Sequence, residues 1–145
     1  MYAIIDGGIV PRGHVRVSGA KNSATRLLSA ALLSDEPVTL RNFPTELVDV
    51  GHKVNFCRKL GAEITLDRET EQASISAQAL KSRLLTRNDY DVPIRTTYLL
   101  SAAQVLRSGI ARIPYPGGCP IGGGSAGGRG YDQHIMVWKA LGAEV

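Results

Sequence analysis

The chain has 145 residues, 43% hydrophobic and 21% charged, with 17 Lys and Arg against 13 Asp and Glu for a net charge of +4. These values match one ordinary globular domain, or part of a larger one, and exclude wholesale disorder; basic residues spread from Arg12 to Lys139 exclude a polybasic tail but not an anionic small-molecule substrate. There is no apolar run near the roughly 18 residues of a membrane helix, the opening MYAIIDGG does not read as a signal peptide, and two cysteines make neither a disulfide framework nor a zinc site, so a cytoplasmic, reducing setting without a membrane is expected.

In chain order, apolar alternation marks strand-like runs at Tyr2–Ile5 and His14–Ser18. Ala24, Leu27, Leu28, Ala31 and Leu32 then fall on one face of a helix. A strand is predicted at Val38–Arg41. A helix follows from Val50 to Leu60, with Val50, Val54 and Cys57 in register, Asp49 as its cap and Gly61 as its stop. Strands at Glu63–Leu66 and Ala73–Ser76 come next. A third helix is predicted from Pro93 to Arg107, capped by Asp91 and ended by Gly109. After a strand at Ile110–Ile113, a fourth helix covers Gln133–Leu141, with Asp132 as cap and Gly142 as stop. Its apolar side carries Val137, Trp138 and Leu141. The mixture of strands and helices places the chain in the α/β (α+β) class.

Two stretches echo each other. Pro37–Pro44 with Lys59–Ile64 resembles Gly109–Pro116 with Ala140–Val145, and both Val38 to Ile110 and Pro44 to Pro116 are 72 residues apart. Each copy reads strand, loop, helix, Leu-Gly-Ala-Glu, strand, which predicts a repeated unit of domain scale. The second copy's strand would run past Val145.

Several residues point to anion chemistry. Lys21 and Asn22, in SGAKNSATRLL, stand where a helix should begin. Unpaired N–H groups there favour an anion, and a lysine is out of place without one. A solvated lysine is the plain alternative. Gly19 would let backbone approach a ligand. Arg95 repeats the anomaly in the first turn of the third helix, where Asp89 or Asp91 is an alternative partner. Eight of the 16 glycines lie between Gly117 and Gly130, around Cys119. Glycine N–H groups with Arg129 nearby would draw a thiol toward thiolate. Cys57, on an apolar helical face, reads instead as a core residue. Arg129 precedes Asp132 at the start of the fourth helix, and His52 and His134 read as surface helix residues. The glycine loop lacks the G-K-[ST] ending of a Walker A and is not a G-x-G-x-x-G opening a helix.

Taken together, SGAKN before an Ala/Leu-rich helix, Arg95 placed 24 residues before Cys119, PGGCPIG, GRGYDQH and LGAEV resemble the enolpyruvyl transferases, in order and over nearly the whole chain. Within that family the set is most similar to the branch that acts on UDP-N-acetylglucosamine. The resemblance implies an inside-out α/β barrel of the EPSP-synthase type, built from repeated β-α-β-α-β-β units and incomplete here. Residues 1–20 would be strands of a missing second domain. Residues 21–145 would be a partial domain, with one repeat at 21–107 and an incomplete one at 108–145. The implied reaction transfers the enolpyruvyl group of phosphoenolpyruvate to the 3-hydroxyl of the UDP-sugar, with release of phosphate, for peptidoglycan precursor synthesis. By resemblance Cys119 donates the proton, Lys21 and Arg129 hold the phosphoenolpyruvate phosphate, Asn22 contacts the sugar nucleotide, Arg95 binds anionic substrate groups, and Asp132 lies near the nucleotide. No cofactor and no metal are implied. The second half of the cleft lies outside these 145 residues, so they are expected to be inactive alone.

Two departures bear on the acceptor. Arg129 follows Cys119 by ten residues, a gap about twice the family's usual one, with the excess near Gly123–Gly127. Gly51 stands where the family often has aspartate. A paralogue acting on another nucleotide in secondary metabolism, or a non-catalytic nucleotide- or anion-binding module, are the competing readings. Aromatic residues make up 6% of the chain and no basic stripe carries stacking residues, which argues against a nucleic-acid partner.

Overall fold

A computed structural model of the chain describes residues 2–8, 10–80, 89, 95–113 and 131–145. The elements are α1 (Lys21–Ala31), β1 (Val38–Leu40), α2 (Val48–Lys59), β2 (Glu63–Asp67), β3 (Gln72–Ser76), a 3-10 turn (Arg95–Leu99) running into α3 (Leu100–Ser108), and α4 (Asp132–Ala140). The mixed class expected from the sequence is therefore found.

The strands form an open antiparallel sheet in the order β1-β3-β2. Its register follows from alternation. Val38 pairs with Ile75 and Leu40 with Ala73 on one side, and Ile64 pairs with Ile75 and Leu66 with Ala73 on the other. All six side chains share the face turned to the core, while Thr39, Thr65 and Ser74 face solvent. Asp67 turns the β2–β3 hairpin by accepting the backbone N–H groups of Glu69 and Thr70 at 2.9 and 3.1 Å. The Thr70 side chain, then the Thr70 and Glu69 N–H groups, hold its carboxyl below the usual range.

The core is closed by α1, α2 and α3. Leu28 and Leu32, Val50, Phe56 and Leu60, and Leu100 are all fully buried. None of the four helices among the described residues has a side-chain cap. A missing cap costs about 1 kcal/mol, whereas burying one such apolar side chain contributes about 1.5–3 kcal/mol, so packing decides where these helices sit. One capping function is supplied at a distance. Arg107 of α3 donates to the carbonyls of Leu32 (3.4 Å) and Ser34 (2.6 Å) and pairs with Asp35, placing a cation at the C-terminal end of α1. The expected stops hold: Gly61, Gly109 and Gly142 end their helices with φ of 104°, 74° and 90°, a conformation other residues adopt only with strain.

Several expectations are corrected. Tyr2–Ile5, His14–Ser18 and Ile110–Ile113 form no strand among the described residues, because a strand needs a hydrogen-bonded neighbour and none of those residues supplies one. Leu27 is 49% exposed; the buried face of α1 turns toward Thr25 and Ser29, whose hydroxyls bond back to the helix carbonyls of Lys21 and Thr25. Asp49 and Asp132 lie inside the first turns of α2 and α4 rather than capping them, since Leu47 and Tyr131 take the cap positions. Asp91 and Pro93 lie outside the described residues. The apolar side of α4 is not core, with Val137 55% and Leu141 74% exposed: periodicity gives a helix its apolar side, but only a neighbour buries it.

Gly19 is fixed by sterics. A Cβ there would lie 2.1 Å from the Asn42 carbonyl oxygen and 2.7 Å from Pro44. The expected close approach is thus to the chain's own turn. Around it, Asn42 donates to the Val17 carbonyl at 3.4 Å and Arg16 pairs with Glu71 at 2.9 Å. Gly51, inside α2, has open space where its Cβ would stand. The same substitution should therefore have opposite signs at the two positions. Gly19→Ala is expected to destabilise by about 1–3 kcal/mol through overpacking, and Gly51→Ala to stabilise by about 0.5–1 kcal/mol through helix propensity. Urea unfolding of each variant checks both.

Candidate functional site

Lys21 is the first residue of α1, two residues after the pinned Gly19. Its ammonium is not solitary. Lys21 Nζ donates to Asp49 Oδ2 at 2.7 Å, with both side chains about half exposed. Asp49 sits in the first turn of α2, so one carboxylate answers both the lysine and the positive end of a second helix. An exposed pair of this kind is worth about 0–1 kcal/mol, little enough for an incoming anion to compete with it. Asn22 is exposed beside Lys21.

Arg95 opens the 3-10 turn, which packs against both α1 and α2. Its guanidinium carbon stands 5.5 Å from the centre of the Tyr131 ring, and the Tyr131 hydroxyl donates to the Arg95 carbonyl at 3.4 Å. Tyr98 lies 4.4 Å from Tyr131 and 4.5 Å from His134, ring centre to ring centre. This aromatic group joins the turn to the start of α4, where Asp132 is exposed. Burial pushes the Tyr131 phenol up, opposed by a bond with Thr97 and by the charge of Arg95. The structure thus joins Lys21 to Asp49 and Arg95 to the residue before Asp132. Cys119 and Arg129 lie outside the described residues.

Cys57 is buried, as expected of a core residue, and its thiol is raised from 9.0 to about 11, first by burial. Such a thiol is a poor nucleophile. Lys53 is the residue that sequence reasoning missed. It is fully buried, and its Nζ donates to the Thr96 carbonyl in the 3-10 turn. Burial lowers its ammonium from 10.5 to about 8. The signal was available: Lys53 falls three residues after Val50 and four before Cys57, inside the apolar stripe of α2. Among the described residues there is no metal-ligating cluster and no helix long and apolar enough to cross a membrane.

A profile of the family described as EPSP synthase (3-phosphoshikimate 1-carboxyvinyltransferase) matches residues 7–145. This chain belongs to that family. The UDP-N-acetylglucosamine 1-carboxyvinyltransferase of Acinetobacter baylyi is 38% identical over 98% of this chain, and that of Myxococcus xanthus is 35% identical over the same share. The chain spans 32% of the length of each of these curated relatives. The crystal structure of the enolpyruvyl transferase NikO from Streptomyces tendae matches with a TM-score of 0.59 at 29% identity, covering 69% of this chain and 22% of that one. The resemblance read from the motifs is thereby established at the level of the enolpyruvyl transferase family.

The buried Lys53 of this family member has a measurable consequence. Because its folded-state value is lowered, folding disfavours the charged form. The cost, on the order of 3 kcal/mol from a fall of 10.5 to about 8, is fully present below pH 8 and is relieved as pH rises toward 10.5. The Cys57 thiol, raised from 9.0 to about 11, acts in the opposite sense above pH 9. Stability of the wild type should therefore rise between pH 8 and pH 9, by up to about 1 kcal/mol. Lys53→Met should lack the rise, and urea midpoints across that window measure the difference.

Proposed function

We propose that this chain contributes one side of the active site of an enzyme that transfers the enolpyruvyl group of phosphoenolpyruvate to the 3-hydroxyl of UDP-N-acetylglucosamine and releases phosphate. The observation that carries the reading is the identity of 35–38%, over 98% of the chain, with proteins named for that activity. The chemistry of the named residues supports it. In this reading Cys119 gives a proton to C-3 of phosphoenolpyruvate, which leaves C-2 electrophilic. The sugar hydroxyl adds to C-2 as its proton passes to a base in the remaining protein, and loss of phosphate from C-2, with a C-3 proton returned to the Cys119 thiolate, restores the vinyl group. Lys21 and Arg129 hold the phosphate, Asn22 contacts the sugar nucleotide, Arg95 binds anionic groups, and Asp132 lies near the nucleotide. Lys21 exchanges Asp49 for substrate phosphate when the site fills.

The same reading gives residues 1–20 to a second domain, where they become strands only by pairing with the rest of the protein, and makes residues 21–145 part of an inside-out α/β barrel and the remaining protein the other wall of the cleft. It places the enzyme in cytoplasmic peptidoglycan precursor synthesis. A second reading, an enolpyruvyl transferase for another nucleotide acceptor, is favoured by the long glycine stretch before Arg129.

In the full-length protein containing this chain, Cys119→Ser should reduce phosphate release from phosphoenolpyruvate and UDP-N-acetylglucosamine at least ~100-fold, the scale of a lost acid catalyst. Turnover unchanged by Cys119→Ser rejects the assignment. Wild-type release with a different nucleotide, and none with the UDP-sugar, selects the second reading. An electrophilic alkylating reagent should label Cys119 and spare Cys57, which is buried and held in the thiol form.

A further inference from the structure

The apolar stripe of α2 places Lys53 among Val50, Val54 and Cys57, where a leucine or methionine would pack without a charge. Burying an ammonium there opposes folding, and what it gains is a charge-assisted bond to one backbone carbonyl, that of Thr96. That carbonyl belongs to the residue next to Arg95. The turn it lies in needs an external anchor. A 3-10 turn has less well aligned hydrogen bonds than an α-helix, and α3 beyond it starts with neither a side-chain cap nor an acidic residue in its first turn. Tyr131 holds the turn through the Arg95 carbonyl, and Lys53 holds it from within the core.

We propose that Lys53 is a positioning residue for Arg95: it fixes the 3-10 turn from the core side, so that the guanidinium is already set for an anionic substrate group. The proposal rests on the functional reading above. Lys53 does not touch substrate; it acts through the turn. Its lowered ammonium value of about 8 still leaves it largely charged at neutral pH, so the bond to Thr96 is charge-assisted.

A double-mutant cycle in the full-length protein containing this chain tests this. The dissociation constant of UDP-N-acetylglucosamine, in the presence and absence of phosphoenolpyruvate, is measured by calorimetry for wild type, Lys53→Met, Arg95→Ala and the double variant, with Tm for each. Lys53→Met should weaken binding about tenfold while Tm stays equal or rises, because a buried charge has been removed. In the Arg95→Ala background the same change should have almost no further effect. Equal binding by wild type and Lys53→Met overturns the proposal, and so does a loss of the same size in both backgrounds. A fall in Tm shared by Lys53→Met and Lys53→Leu also overturns it, since the lysine would then be structural. A wild type that binds neither substrate overturns the functional reading, and the proposal with it.

Discussion

Lys21 stands at the first position of α1, and Arg95 at the first position of the turn that leads into α3, so both oppose the partial positive charge of a helix start. A third cation, Lys53, is buried beneath the second of them. Nothing in local helix energetics favours this arrangement. It persists because tertiary packing is strong enough to hold it, and each cation has its own compensation: Asp49 at 2.7 Å for Lys21, the Tyr131 ring at 5.5 Å for Arg95, and a backbone carbonyl for Lys53. Positive charge held where a folded chain would otherwise avoid it is a ready attractor for a polyanion.

The compensations differ in strength. The Lys21–Asp49 pair is half exposed, and an exposed pair contributes little, so it can open toward a ligand. The Lys53 side chain is fully buried, and breaking its bond to Thr96 would strand a charge in the core. One cation is therefore held loosely and another rigidly, a division suited to a site with one part that exchanges partners and one that must not move. The sheet and α1–α2 packing form the frame for both. The Gly19 approach to Asn42 and Pro44 sets where α1 begins, and hence where Lys21 stands.

Much of this was legible in the residues. The β1, β2 and β3 runs alternate cleanly because one face of the sheet meets the core and the other meets water. Helix stops were legible because Gly61, Gly109 and Gly142 adopt a conformation that few other residues tolerate. Lys21 and Arg95 were visible as anomalous cations from helix starts alone, whereas Lys53, inside α2, was not. The misread parts share a cause. At Tyr2–Ile5, His14–Ser18 and the apolar side of α4, the sequence has the pattern of a packed element, but burial and pairing belong to a neighbour.

The sequence by itself determined the mixed class, the glycine stops of three helices and the family, since these follow from periodicity, backbone sterics and an ordered set of motifs that each act over a few residues. Only the tertiary structure decided that Asp49 answers Lys21 and that Lys53 reaches across from α2 to the turn beside Arg95. Those partners are separated by 28 and 43 residues along the chain. Electrostatic and hydrogen-bond energies depend on distance and burial, neither of which a linear spacing of that length can fix.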